Sequence, residues 1–217
     1  MIRKDYILRL IDELVRVLAR VFQLKDLKSF DEALQLLRRE SERLLGLDGG
    51  MMEILTTEDI RKALRSPEAA LVAGRILEEM ALIYEQTGEH QRATATAVKA
   101  LDLYVGLMAY DPDAVDDDYR ARMNGLADAI AERDLPWDDR RTLIRCYESL
   151  GRYANAEDLL FELIHEGFDR DRIIEDASAF YRRLLSKSDE ELRAGGLPRR
   201  EVNDGMNTLE EMSNEST

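Results

Sequence analysis

The sequence predicts an all-α fold of stacked antiparallel helical hairpins, and three observations carry that expectation. Only 4 of 217 residues are proline, while Leu, Ala, Glu and Arg recur throughout; these are strong helix formers. Apolar residues return at i, i+3, i+4 and i+7, the period of one helix face. Three stretches, "LKSFDEALQLLRRESERLL", "QTGEHQRATATAVKALDLY" and "SLGRYANAEDLLFELIHEG", can be laid over one another so that Ala33, Ala93 and Ala156 coincide.

The first helix is the plainest. Tyr6, Ile7, Leu10, Ile11, Leu14, Val17, Leu18, Val21 and Phe22 form one face, and Val15 widens it. A second helix is expected over 31–45, closed by Gly46 and Gly49–Gly50. Residues 56–66 read as a short helix capped by Thr56 or Thr57. Ser66 and Pro67 suit the N-cap and first position of the next helix, which runs to about Gln86. Gly88 breaks it, and another helix spans 89–108. Further helices are expected over 115–133, 137–150 (opened by Pro136), 153–165 and 172–185. Ser188 and Glu191 have the capping-box form. After Gly195–Gly196 the chain turns polar. The expected organisation is a single helical domain over 1–194 and a partly disordered tail over 195–217.

The charge balance narrows the function classes. The formal net charge is −14, and residues 1–50 hold 10 Lys+Arg against 9 Asp+Glu, so the remainder is strongly acidic. An acidic body repels phosphate backbones, which disfavours nucleic-acid binding. Cys146 is the single cysteine, so an internal disulfide is impossible and a reducing, cytoplasmic compartment is expected. Asp12, Glu13 and Arg16 interrupt the N-terminal apolar run, which argues against a signal peptide. No stretch approaches the roughly 18 apolar residues that would span a bilayer. A membrane partner is therefore not expected, although Arg3, Lys4, Arg9, Arg16 and Arg20 would give the first helix a basic face.

The superposed stretches also share a break. Gly88 and Gly151 lie five residues before Ala93 and Ala156, and Tyr84 and Tyr147 lie four before the glycines. A glycine ends a helix cheaply in the left-handed conformation, and a small residue one turn later lets the next helix lie close. Leu77, Ala81, Tyr84, Gly88, Ala93, Ala97 and Ala100, together with Tyr147, Gly151, Tyr153 and Ala156, resemble the tetratricopeptide-repeat superfamily. Phe30 and Ala33 form a degenerate first unit, with Lys28 in place of its glycine. The alanine spacings of 60 and 63 exceed the roughly 34-residue period of that superfamily, so the array is expected to be irregular. The opening segment followed by such hairpins also resembles an uncharacterised bacterial family. The resemblance implies a right-handed array that binds protein or peptide partners, and it supplies no activity.

Catalytic and metal patterns are incomplete in this sequence. Glu162 and His165 stand at i, i+3, half of a di-iron carboxylate motif whose second pair is absent. The Asp111–Asp118 cluster fails the EF-hand spacing at Val115, Asp116 and Arg122. Cys146, among Leu143, Ile144 and Tyr147, reads as a buried inert thiol, and Trp137 as a packing anchor. No metal or cofactor is expected, and no enzyme.

The expected function is a non-enzymatic interaction or scaffold module. Its partner groove would be lined by Arg75, Glu79, Leu82 and Gln86 in one unit and by Arg141 and Arg145 in another. Self-association to a homodimer is expected through Ile7, Leu10, Leu14, Val17 and Val21, because so broad a stripe has two faces to bury. The alternative is a helical-bundle enzyme or ligand-binding protein with a pocket between helices, gathering Glu162, His165 or Cys146.

Overall fold

The computed structural model describes the backbone of residues 2–167 and 169–214 and the side chains of residues 8–167 and 169–212. Helix dominates, and no strand occurs among the described residues. The chain divides into two compact units, residues 1–133 and 134–217, a boundary that the helical periodicity alone does not mark.

The first unit comprises α1 (Ile2–Asp26), α2 (Phe30–Leu45), α3 (Gly49–Ile54), α4 (Thr57–Ala63), α5 (Ala69–Gln86), α6 (His90–Tyr110), a 3-10 turn (Pro112–Ala114) and α7 (Asp117–Ala131). Its axis is α5. Every residue from Ala69 to Ala81 is buried, because α1, α2, α3 and α6 all pack against it. Helix α6 is the closest neighbour, and the reason is Gly74. The ring of Tyr104 lies where a side chain would start: a Cβ on Gly74 would stand 2.4 Å from Tyr104 Cε1.

The second unit comprises α8 (Trp137–Ser149), α9 (Tyr153–Glu166), α10 (Arg170–Leu185), α11 (Asp189–Ala194) and α12 (Arg199–Asn214). Helices α8 and α9 pack together, α9 against α10, and α10 against α12. The frayed tail expected over 195–217 is corrected here: α12 is a regular helix with Val202 and Leu209 fully buried. Its Gly205 comes so near Tyr181 that a Cβ would fall 2.2 Å from the hydroxyl, and this close seat anchors a segment whose composition is mostly polar.

Three turns share one geometry. Lys28, Gly88 and Gly151 have φ of 57°, 81° and 73°. In each turn the following N–H donates to a carbonyl five residues back: Ser29 to Leu24, Glu89 to Tyr84, and Arg152 to Tyr147, all at 2.8 Å. This is the bond that closes a helix in the Schellman motif. The next helix then begins from Ser29, Glu89 and Arg152, whose backbones match closely (φ near −84° to −93°, ψ near 55° to 65°). Ala33, Ala93 and Ala156 are buried four residues on, where the paired helices meet. Lys28 thus does the work of the missing glycine.

Local start signals also act as expected. Thr56, not Thr57, caps α4 through its hydroxyl to the Asp59 N–H, and Ser188 with Glu191 forms a full capping box. Ser66 and Pro67 instead form a lead-in turn, and α5 starts two residues later at Ala69, after Glu68.

Candidate functional site

A cleft of about 180 Å³ opens in the second unit between α8 and α10, over α9. Helix α8 presents Trp137, Arg141, Ile144, Arg145 and Glu148, one face at helical spacing. Leu160 and Leu163 of α9 and Ile173 and Phe180 of α10 make an apolar floor. Apolar lining with a few converging polar groups is the usual constitution of a binding site.

Two bidentate ion pairs cross the cleft. Arg141 donates from Nε and Nη2 to the two Asp176 oxygens at 2.8 and 3.1 Å. Arg183 donates from Nε and Nη2 to the two Glu148 oxygens at 2.5 and 2.8 Å. Their hydrogen bonds to Glu148 hold the Arg183 guanidinium above its ordinary pKa, against burial. Both pairs join residues 35 apart in sequence, and both steps along α8 and α10 are seven residues, so the two helices run parallel and in register. The polarity alternates: α8 supplies arginine then glutamate, α10 aspartate then arginine. Sliding either helix by two turns would place like charges together, so the pairs fix the register.

At the N-terminal end of the cleft the Trp137 ring receives two guanidiniums, Arg141 at 4.7 Å and Arg172 at 4.9 Å from its centroid. Each is close enough for a cation–π contact. Arg145 is exposed at the cleft and donates to Thr142 Oγ1. The aromatic ring and the arginine heads are together the residue types that dominate binding energy at interfaces.

The expected groove residues are therefore distributed unequally. Arg141 and Arg145 line this cleft. Leu82 and Gln86 are exposed on α5. Arg75 and Glu79, by contrast, cannot line an open groove: they are 5% and 1% exposed. Arg75 bonds Glu79 at 2.6 Å and approaches Glu78 at 3.2 Å. Lys25 of α1 reaches Glu79 at 3.0 Å, and Arg122 of α7 reaches Glu78 at 3.3 Å. Tyr104 donates its hydroxyl to Glu78. The polar face of α5, read as a groove wall, is covered by helices from both sides.

The expected self-association stripe is corrected in the same way. Leu10, Leu14, Val17 and Val21 are buried within the chain itself, against α2 and α5; the Ile7 side chain lies outside the described residues. Among the described residues of α1, the large apolar side chains left exposed are Leu8, Val15 and Phe22.

A second polar cluster escaped sequence reasoning. Glu53 of α3 accepts from Arg38 of α2, Tyr84 of α5 and Arg92 of α6 at 2.8–3.0 Å. Burial alone would raise the Glu53 carboxyl, but the hydrogen bonds from Arg92, Arg38 and Tyr84 hold it below the usual range. Burial and the bond to Glu53 push the Tyr84 hydroxyl up to about 12. Lys99 of α6 donates to the carbonyls of Met52 and Leu55 at 3.2 and 2.7 Å and to that of Glu53, so it caps the C-terminus of α3. The signal lay in residues 15 to 47 apart, which periodicity does not connect.

Other chemistry-bearing residues are spread apart. Glu162 and His165 are exposed, and His165 Nδ1 lies 2.6 Å from the Phe161 carbonyl. Cys146 is fully buried. Among the described residues no group of three or more His, Cys, Asp or Glu is placed to hold a metal, and no helix is long and apolar enough to cross a membrane.

No curated protein matches the sequence. A family model described as "Family of unknown function (DUF6483)" matches residues 1–214. An all-helical chain matched over nearly its whole length belongs to that family of unknown function, DUF6483.

Proposed function

We propose that this chain is a non-enzymatic protein-interaction module of tetratricopeptide-like construction, and that the cleft between α8 and α10 receives a segment of a partner protein. The observation that carries the reading is the pair of in-register ion pairs at an offset of 35 residues. That offset is close to the roughly 34-residue period of tetratricopeptide repeats, whose equivalent helices lie parallel and leave a groove between them. The three matching hairpin turns support the same construction. An apolar floor flanked by Trp137, Arg141, Arg145 and Arg183 suits a protein segment that offers an apolar side chain with hydrogen-bond acceptors beside it. The acidic surface disfavours nucleic acid as the partner, and the lone buried cysteine favours a cytoplasmic setting.

A photo-cross-linking residue at position 145, introduced in the native cell, tests this. The expected outcome is one or a few discrete protein adducts, lost when Ala179→Glu places a charge in the cleft, with no such adduct from the exposed control position 155. Adducts of equal pattern from both positions, or none from 145, would count against a protein-binding cleft.

A further inference from the structure

The face of α1 turned away from the core carries an apolar row of its own. Leu8, Val15 and Phe22 are 52%, 59% and 44% exposed. They stand seven residues apart, about 10.5 Å per step on a helix. Exposed Ala19 continues the row between Val15 and Phe22, and Asp12 occupies the matching place between Leu8 and Val15. Scattered exposed apolar residues are ordinary. Leu8, Val15, Ala19 and Phe22 follow the alternating spacing of the seam that two supercoiling helices share, interrupted once by Asp12.

Charge decides what fits the row and in which direction. At 100° per residue, Asp12 and Arg16 lie on the same flank of it. In an antiparallel pair of identical helices each flank faces its own counterpart. With Val15 at the centre, Leu8 of one copy then meets Phe22 of the other. Asp12 of each copy comes within reach of Arg16 of the other, and Arg9 comes opposite Gln23. The two Arg16 side chains sit between the two Asp12 carboxylates. In a parallel pair the same flank would face Ile11, Leu18 and Lys25, which offer Arg16 no carboxylate. Flanking charges of this kind choose partner and orientation in helix pairs.

We propose that α1 pairs antiparallel with α1 of a second copy of this chain, with Val15 on the two-fold axis. The pairing uses the first unit only and is independent of the cleft reading. It also replaces the buried stripe expected from the sequence with another face of the same helix, about 120° round.

Cysteine scanning tests it directly, since the native Cys146 is buried. Val15→Cys should form a disulfide-linked dimer with itself under mild oxidation. Leu8→Cys and Phe22→Cys should each fail alone, and should link to each other when the two variants are mixed. Self-linking of all three variants would overturn the antiparallel register. Absence of any link, together with a monomer mass by light scattering, would overturn the pairing. Asp12→Arg should weaken the dimer roughly tenfold in a dilution series, and the double variant Asp12→Arg, Arg16→Asp should restore it. An Asp12→Arg variant that dimerises as the native chain does would also count against the register. Circular dichroism checks that each variant keeps its helices, as substitutions at exposed positions should.

Discussion

Lys28 and Gly151 close their helices with the same left-handed backbone and the same 2.8 Å bond, although one has a side chain and the other none. A non-glycine residue in that region carries a steric cost of roughly 1–2 kcal/mol. Lys28→Gly is expected to stabilise the chain by about 0.5–1 kcal/mol, the relief being partly offset by the greater freedom of glycine when unfolded. Gly88→Ala and Gly151→Ala should lose about 1–2 kcal/mol, purely through the backbone, since nothing lies within 4 Å of a Cβ at either position. Urea denaturation of the three variants checks the signs.

Gly74 and Gly125 should respond oppositely to alanine. At Gly74 the Tyr104 ring edge would be 2.4 Å from the new Cβ, whereas at Gly125 on α7 nothing lies within 4 Å. Gly74→Ala forces α5 and α6 apart and should cost about 1–3 kcal/mol. Gly125→Ala should gain up to about 1 kcal/mol from helix propensity. Thermal melts of both variants against the parent separate the two cases.

The two units should diverge in acid. Glu53, in the first, has a depressed pKa because hydrogen bonds from Arg92, Arg38 and Tyr84 outweigh burial. Its contribution is present above the unfolded carboxyl value of about 4.3 and is lost as pH falls through the lower folded value. Glu157, in the second, is raised by burial, with Asp158 and Glu201 adding to it and the Tyr181 hydrogen bond opposing. Its contribution is present below the unfolded value and is lost as pH rises through the raised folded one. Glu157→Gln should therefore stabilise the chain at pH 7, with the gain vanishing below about pH 4. Glu53→Gln should destabilise it at pH 7. Hydrogen exchange across a pH series reads the two units separately.

The ion pairs across the cleft should matter more for register than for stability. The Arg141 and Asp176 side chains are each about a third exposed, so solvent screens them. A double-mutant cycle on Arg141→Ala and Asp176→Ala should give a coupling of about 0.5–1 kcal/mol, falling with added salt. A coupling several times larger would mean that the cleft is drier than its exposure indicates.

The helices and their turns were legible because their causes are local. Gly88 and Gly151 carry their own backbone preference, Ser188 and Glu191 their own cap, and the short side chains at 93 and 156 follow one turn after the break. The buried face of α5 was not legible. Arg75 and Glu79 read as the wall of an open groove, and the residues that cover them and Glu78, Lys25 and Arg122, come from helices about 50 residues away on either side. The Leu10–Val21 stripe is too broad for one neighbour, and its second neighbour is α5 of the same chain. The 35-residue register of α8 and α10 escaped because alternating ion pairs leave no repeated residue type to compare: arginine stands opposite aspartate, then glutamate opposite arginine. Helix α12 escaped because its buried apolar residues, Val202 and Leu209, are few within an otherwise polar sequence, and the close seat of Gly205 on Tyr181 leaves no sequence signal.

Trp137 is the only tryptophan in the chain, and it lines the cleft beneath two guanidiniums. The intrinsic ultraviolet emission of this protein therefore comes chiefly from one indole at the candidate site. An arriving molecule that shifts Arg141 or Arg172, or that shields the ring from water, alters that emission without any dye or tag. Titration with excitation at the red edge, where indole absorbs and tyrosine hardly does, thus reports occupancy of this cleft without a contribution from the tyrosines of the first unit.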